Sequence, residues 1–155
     1  MELARNRTCG ECTACCKTHF VGSISKQAGV WCVHCTPGKG CKIYESRPGE
    51  CQRFVCQWIK GYGTEEDRPD KRKIVVDSNI IDGVGRVASL WEVSEGSLEN
   101  SFSDRVIKEL LDISSAVLCV HLSGQIVAHV KNEELTLLLW EMLSDMRARI
   151  ISHNL

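Results

Sequence analysis

The sequence predicts an α+β protein built from two regions of different composition. Nine of its ten cysteines lie between Cys9 and Cys56. Apart from cysteine, residues 1–60 contain 17 apolar side chains, whereas residues 61–155 contain 40. We therefore predict a cysteine-rich, loop-dominated module with one helix, followed by a ββαββα unit. That unit is expected to form a four-stranded, mainly antiparallel sheet with two helices.

The first region contains a single helix signal. Residues 1–46 show no sustained apolar period and therefore predict loop. Pro48 suits the first position of a helix, and the apolar residues after it have the spacing of one helical face. That face consists of Cys51, Phe54, Val55, Trp58 and Ile59. Gly61 and Gly63 are expected to end the helix.

A charged, proline-containing segment, residues 64–72, predicts a linker between the two regions. We accordingly assign residues 1–63 to the cysteine-rich module and residues 73–155 to the α+β region. We expect the α+β region to pack on the module.

Two strands and a helix begin the α+β region. Runs rich in β-branched residues at 73–78 and 86–93 predict the strands, and Asp82-Gly83 between them is typical of a hairpin turn. Ser103 is expected to cap the helix. Its apolar face consists of Val106, Ile107, Leu110 and Leu111.

Two more strands and a helix complete the region. The strands are predicted at 116–122 and Gln125–Val130, joined by a turn at Ser123-Gly124. Asn132 is expected to cap the last helix. The apolar stripe of this helix consists of Leu135, Leu138, Leu139, Met142, Leu143 and Met146.

The clustered cysteines predict a metal site. Their segment is too poor in other apolar residues to bury nine thiols in a core, and closely spaced thiolates are ligands of zinc and of iron–sulfur clusters. The candidate ligands are Cys9, Cys12, Cys15, Cys16, Cys32, Cys35, Cys41, Cys51 and Cys56. The alternative is a disulfide framework. Because nine is an odd number, such a framework would leave one thiol unpaired. The first residues also lack the apolar segment of a secretion signal, so we expect a cytoplasmic protein with reduced thiols.

The cysteine spacing is compatible with two cofactors. Cys9-x2-Cys12 and Cys32-x2-Cys35 resemble two zinc knuckles separated by 19 residues, the spacing of a zinc ribbon. Alternatively, Cys9, Cys12 and Cys15 hold three irons of a [4Fe–4S] cluster, and a distant cysteine such as Cys51 holds the fourth.

Other cysteines and histidines have alternative roles. Cys51 and Cys56 would diverge by about 140° on a straight helix. Either the helix begins after Cys51, or one of the two thiols serves packing. Cys119 lies in an apolar strand and is expected to be a core residue. His19 and His34 lie near the thiols, where either could replace a cysteine as a ligand.

The charge distribution argues against a nucleic-acid partner. Residues 1–60 contain nine basic and four acidic side chains, but nine thiolates would outweigh that excess. The basic residues are then expected to balance an anionic metal–thiolate centre.

The sequence also predicts no membrane span. The longest apolar run, residues 116–120, is far too short to cross a membrane.

The cysteine pattern resembles a known family. Cys9-x2-Cys12-x2-Cys15-Cys16, Cys32-x8-Cys41 and Cys41-x-Ile43-Tyr44-x-x-Arg47-Pro48-x-x-Cys51 together resemble the CxxCxxCC cysteine-cluster family, whose members are described as zinc- or iron-chelating. The resemblance implies a ligand set of Cys9, Cys12, Cys15, Cys16, Cys32, Cys41 and Cys51. Flagellin lysine N-methylases share the pattern, which implies a [4Fe–4S] cluster and favours iron–sulfur over zinc.

The sequence predicts metal binding but identifies no reaction, so catalytic residues stay unassigned. One alternative function is a docking module in which zinc is purely structural and the α+β region binds an unidentified protein. Weaker alternatives are iron–sulfur-dependent methyl transfer and the storage or delivery of metal. We find no S-adenosylmethionine site that would support methyl transfer.

Overall fold

A computed structural model describes residues 6–153 and has the expected mixed α+β composition. The chain divides into two compact units, with the boundary between Val76 and Asp77. That boundary lies within the third strand, a few residues beyond the segment 64–72.

Short elements and turns make up the first unit. Its helices and strands are α1 (Ala14–Thr18), β1 (Cys35–Thr36), β2 (Gly40–Cys41), α2 (Gly49–Arg53) and α3 (Pro69–Arg72). Single 3₁₀ turns occur at Gly22–Ile24, Tyr44–Ser46 and Glu65–Asp67. The unit is dominated by loops, but it contains three short helices where the sequence predicted one.

The predicted helix around Cys51 is much shorter than its apolar stripe. α2 ends at Arg53, and Phe54 is extended with ψ near 125°. Beyond that point the Gln57 N–H donates to the Val76 carbonyl at 2.7 Å, so it is not available for a helical bond. Trp58 is nevertheless buried. The stripe therefore reflects burial of an irregular segment rather than a continued helix.

The segment 64–72 has its own hydrogen-bonded structure. The Asp67 carboxylate accepts from the Thr64 N–H at 2.9 Å and from the Arg72 guanidinium at 3.0 Å. Arg68 donates twice to Asp70, both times at 2.6 Å. These contacts fold the segment into the last 3₁₀ turn and α3.

A five-stranded sheet with the order β3-β4-β5-β6-β7 forms the larger part of the fold. The strands of this sheet and the helices between them are, in chain order, β3 (Ile74–Ile81), β4 (Gly85–Glu92), α4 (Ser101–Ile113), β5 (Ala116–Val120), β6 (Gln125–Val130), α5 (Glu133–Leu143) and β7 (Arg147–Ser152). The element order is ββαββαβ, so the prediction of four strands was one strand short.

The sheet is also less antiparallel than predicted. β4 pairs with β5 in parallel, β5 pairs with β6 antiparallel, and β6 pairs with β7 in parallel. Each parallel pair is joined through a helix, α4 or α5, because parallel neighbours need a crossover connection. The sequence pattern predicted neither β7 nor the parallel direction of these pairings.

The final helix is shorter than predicted and is followed by an additional strand, β7. α5 ends at Leu143, and Met146, which was assigned to the helical stripe, is 54% exposed. The strand that follows contains two arginines, which obscure its short alternating pattern. α5 itself begins as predicted, with the Asn132 side chain accepting from the Leu135 N–H at 3.2 Å.

The core of the second unit comes from α4 and the central strands. Val106 and Leu111 on α4 and Ala116 on β5 are almost completely buried. The cap of α4 is Asn100, which accepts from the Ser103 N–H at 3.1 Å; the prediction of Ser103 as the cap was wrong by three positions. Cys119 is buried in β5, as predicted.

Candidate metal centre

Eight of the nine N-terminal cysteines line one cavity of about 500 Å³ in the first unit. The eight are Cys9, Cys12, Cys15, Cys16, Cys32, Cys41, Cys51 and Cys56. The remaining predicted ligand, Cys35, is buried but is not among the residues that line the cavity. All ten cysteines of the chain are free thiols.

The first four thiols are placed by a turn and a short helix. The Cys12 N–H donates to the Cys9 carbonyl at 2.8 Å, which closes a tight turn between these two cysteines. α1 begins immediately afterwards, and Cys15 and Cys16 lie in its first turn. A turn followed by a helix therefore brings four thiols of one short segment to the same cavity.

The second pair of cysteines forms a similar turn. The Cys35 N–H donates to the Cys32 carbonyl at 3.0 Å. The Cys32 N–H in turn donates to the Cys16 carbonyl at 3.0 Å, which fastens this turn to α1. Cys35 is then paired with Cys41 across the β1–β2 hairpin, so Cys41 is also held close to the cavity.

The early end of α2 explains how both Cys51 and Cys56 reach the cavity. Cys51 lies within α2, and the chain leaves the helix at Phe54 before it reaches Cys56. The two thiols are therefore not fixed at the diverging positions of a continuous helix. Of the two alternatives for this pair, a helix that begins after Cys51 is not what the structure shows, because α2 begins at Gly49, directly after Pro48, and ends early at Arg53.

The thiols around Cys16 interact with one another. A hydrogen bond with the Cys15 sulfur raises the pKa of Cys16 most strongly, and burial raises it further. Burial is the main cause of the raised pKa of Cys51, and the nearby groups of Cys16, Cys32 and Cys41 add to it. These five thiols therefore share one part of the cavity.

Cys56 interacts with two thiols of the first segment, Cys9 and Cys12. Burial raises the pKa of Cys9, and the proximity of Cys56 is the next largest cause. Burial also raises the pKa of Cys12 to about 11, and that of Cys56 is raised for the same reason. These thiols are protonated at neutral pH without metal, so a bound metal ion would have to displace their protons.

The two candidate histidine ligands differ in position. His19 lines the cavity, its Nδ1 lies 2.7 Å from the Thr18 hydroxyl, and its ring packs on Phe54 with centroids 4.1 Å apart. His34 is not among the residues that line the cavity.

The thiols surround the cavity rather than meeting at one point. Within residues 6–153, no three His, Cys, Asp or Glu side chains are arranged so that they could hold a metal ion between them.

In the same part of the chain, no helix has the length and apolar character needed to cross a membrane.

Comparison with known proteins adds no assignment. No family model, curated protein or solved structure matches the chain. The resemblance to the CxxCxxCC family therefore rests on the sequence pattern alone.

Sequence reasoning overlooked one residue of this site. Lys26 lines the cavity and is only 7% exposed. The sequence places it in a polar loop, where a lysine is ordinarily solvated. No local pattern distinguishes a buried lysine from an exposed one, so only the three-dimensional structure identifies it.

Proposed function

We propose that this chain is a cytoplasmic metal-binding protein that holds an iron–sulfur cluster, preferably [4Fe–4S], through the thiolates of its first unit. The observation that carries the proposal is the convergence of eight cysteines on one cavity. These cysteines come from four separate parts of the first 56 residues. The packing of an apolar core would not explain why they line the same cavity.

The spread of the thiols favours a cluster over a single ion. Four Zn–S bonds of about 2.3 Å bring the sulfurs of a zinc site within about 3.8 Å of one another. Among the described residues, no three candidate ligands are arranged in that way around one point. In an iron–sulfur cluster each thiolate binds its own iron, so the ligands are farther apart.

Zinc is the second candidate, supported by the two short turns. The hydrogen bonds from the Cys12 N–H to the Cys9 carbonyl and from the Cys35 N–H to the Cys32 carbonyl are both 3.0 Å or shorter. Turns of this kind direct two sulfurs of a C-x2-C segment toward one ion. The zinc version requires the thiols to move closer together than they are now.

Metal analysis of the full chain, purified without oxygen, tests the proposal. We expect stoichiometric iron and acid-labile sulfide, with the visible absorption of an iron–sulfur cluster. Stoichiometric zinc in a colourless sample would replace the cluster by the second candidate. A wild-type chain that retains neither iron nor zinc would overturn the proposal. Anaerobic handling matters because oxygen can destroy a cluster and allow zinc to take its place.

A matched pair of cysteine variants locates the site. Cys12→Ala removes a thiol that lines the cavity, and Cys119→Ala removes a buried thiol of the second unit. We expect the first variant to lose most of its metal and the second to keep a wild-type metal content. Equal loss from both variants would show that metal content follows general stability, not the cavity.

A further inference from the structure

Lys26 is a buried cation whose hydrogen-bond acceptors are neutral. Its ammonium group donates to the Lys17 carbonyl at 2.7 Å and to the His19 carbonyl. Both acceptors are neutral backbone groups. Within residues 6–153, no aspartate or glutamate forms an ion pair with Lys26. Buried charges in proteins are ordinarily paired, so we expect an anion close to this cation.

The chain holds the Lys26 backbone in a closed loop. The Val21 N–H donates to the Lys26 carbonyl at 2.9 Å, and the Lys26 N–H donates to the Val21 carbonyl at 3.0 Å. A 3₁₀ turn, Gly22–Ile24, and the left-handed Ser25 complete the loop. The lysine is therefore fixed at both its backbone and its ammonium group.

The ionisable groups that interact with Lys26 are thiols of the cavity. Burial lowers the pKa of the lysine, and the neighbouring sulfurs of Cys16, Cys32 and Cys15 act in the opposite direction, as anions would. Lys26 also lines the cavity itself. An anionic metal–thiolate group in this cavity would supply the charge that the structure otherwise lacks.

We propose that Lys26 is the fixed counter-charge of the metal–thiolate group in the cavity, and that it stabilises the more negative state of that group. The inference rests on the proposed function. In an iron–sulfur centre, reduction adds one electron to the cluster, and a nearby cation favours the reduced state. In a zinc centre, the same cation favours retention of the ion together with its thiolates.

A purely structural role is the competing explanation, because the ammonium group also caps the C-terminal end of α1. Lysine side chains commonly bind the last carbonyls of a helix. A cap of this kind affects stability, but it does not change the reduction potential of a centre that is still fully loaded. The potential therefore distinguishes a counter-charge from a cap.

The test compares Lys26→Gln with Lys42→Gln in the full chain. Lys42 is exposed, belongs to the same unit and does not line the cavity. Both substitutions remove one positive charge. In samples of equal iron content titrated with dithionite as the reductant, Lys26→Gln is expected to lower the equilibrium constant for reduction at least tenfold. For a one-electron couple this is a fall of about 59 mV in midpoint potential.

The remaining variant and the zinc case complete the experiment. Lys26→Arg keeps the charge and is expected to keep a potential close to that of the wild type. If the wild type holds zinc, Lys26→Gln is expected to weaken zinc retention against EDTA at least tenfold, with no change in Lys42→Gln. Equal values for Lys26→Gln and Lys42→Gln in a loaded protein would overturn the inference and leave the proposed function intact. A wild-type chain without metal would overturn both.

A measurement on the wild type applies even if Lys26→Gln does not fold. In protein labelled with ¹⁵N at the lysine Nζ, the Lys26 signal is assigned by its absence from Lys26→Arg. Loading the cavity is expected to shift or broaden this signal more than that of Lys42. An unchanged Lys26 signal in loaded protein would contradict the proposed proximity.

Discussion

The two units of this chain are stabilised by different means. In the second unit, Leu90, Leu111 and Val130 are almost completely buried among other aliphatic side chains. In the first unit, by contrast, Phe20 is 59% exposed and Val33 is 81% exposed. The second unit has a large apolar core, whereas the first unit buries far fewer apolar side chains.

Polar contacts to the backbone replace part of the missing core. The Arg7 guanidinium donates to the carbonyls of Trp58, Tyr62 and Gly63 at 2.7–2.9 Å, and it lies 4.9 Å from the centre of the Trp58 ring. One side chain thus fastens the start of the described chain to a turn more than 50 residues away. The comparison teaches that the first unit depends on specific polar and thiol contacts, whereas the second depends on apolar burial.

Removing the metal is expected to have the largest effect and to separate the two units. Strong chelation, or Cys12→Ser, should disorder residues 9–46 because a structural metal contributes about 10–16 kcal/mol in small zinc-binding peptides. The second unit should keep its structure because its core contains no proposed ligand. Amide hydrogen exchange measures both units in one sample. If protection of β5 (Ala116–Val120) is lost together with that of residues 32–41, the two units unfold as one and the comparison fails.

A core truncation in the second unit tests the opposite side of the comparison. Leu139 on α5 is 1% exposed and packs on Val87, Ala116 and Val130. Leu139→Ala should lower the free energy of unfolding by about 2–5 kcal/mol, measured by urea denaturation followed by circular dichroism. Metal content should stay at the wild-type value. The matched control is Leu137→Ala on the same helix, 73% exposed, which should change stability by less than about 0.5 kcal/mol. Similar losses from both variants would contradict the assigned core.

The same difference decides how much of each unit could be predicted from sequence. The bounds of β6 were predicted correctly, and α5 begins after Asn132 as expected. These elements have an apolar period that matches their secondary structure, because one face of each is buried. Parallel pairing of β4 with β5 has no comparable local signal. It depends on the path of the crossover, which involves residues far apart in the sequence.

In the first unit, residue types were more informative than periodicity. The cysteine pattern predicted nine thiols as ligands, and eight of them line the cavity whereas Cys35 does not. The predicted helix was too long because Trp58 is buried in an irregular segment beyond α2 and not on a helical face. Lys26 left no signal because the carbonyls that bind its ammonium group, those of Lys17 and His19, approach it only when the loop folds back on α1.

The smallest expected effect concerns the start of α4. The Asn100 side chain accepts from the Ser103 N–H at 3.1 Å, and its amide also donates to the Ser97 carbonyl at 2.7 Å. Asn100→Ala leaves the first turn of α4 with an unsatisfied donor and should lower the free energy of unfolding by about 1 kcal/mol. Asn100→Asp keeps the acceptor and should retain most of that stability, since a negative charge also suits a helix N-terminus. Urea denaturation of both variants provides the measurement.

Metal content should be unaffected in both Asn100 variants, because the cap supports a helix of the unit that carries none of the proposed ligands. A loss of metal in Asn100→Ala alone would show that the order of the first unit depends on α4, and the contrast between a thiol-dependent and a core-dependent unit would have to be abandoned.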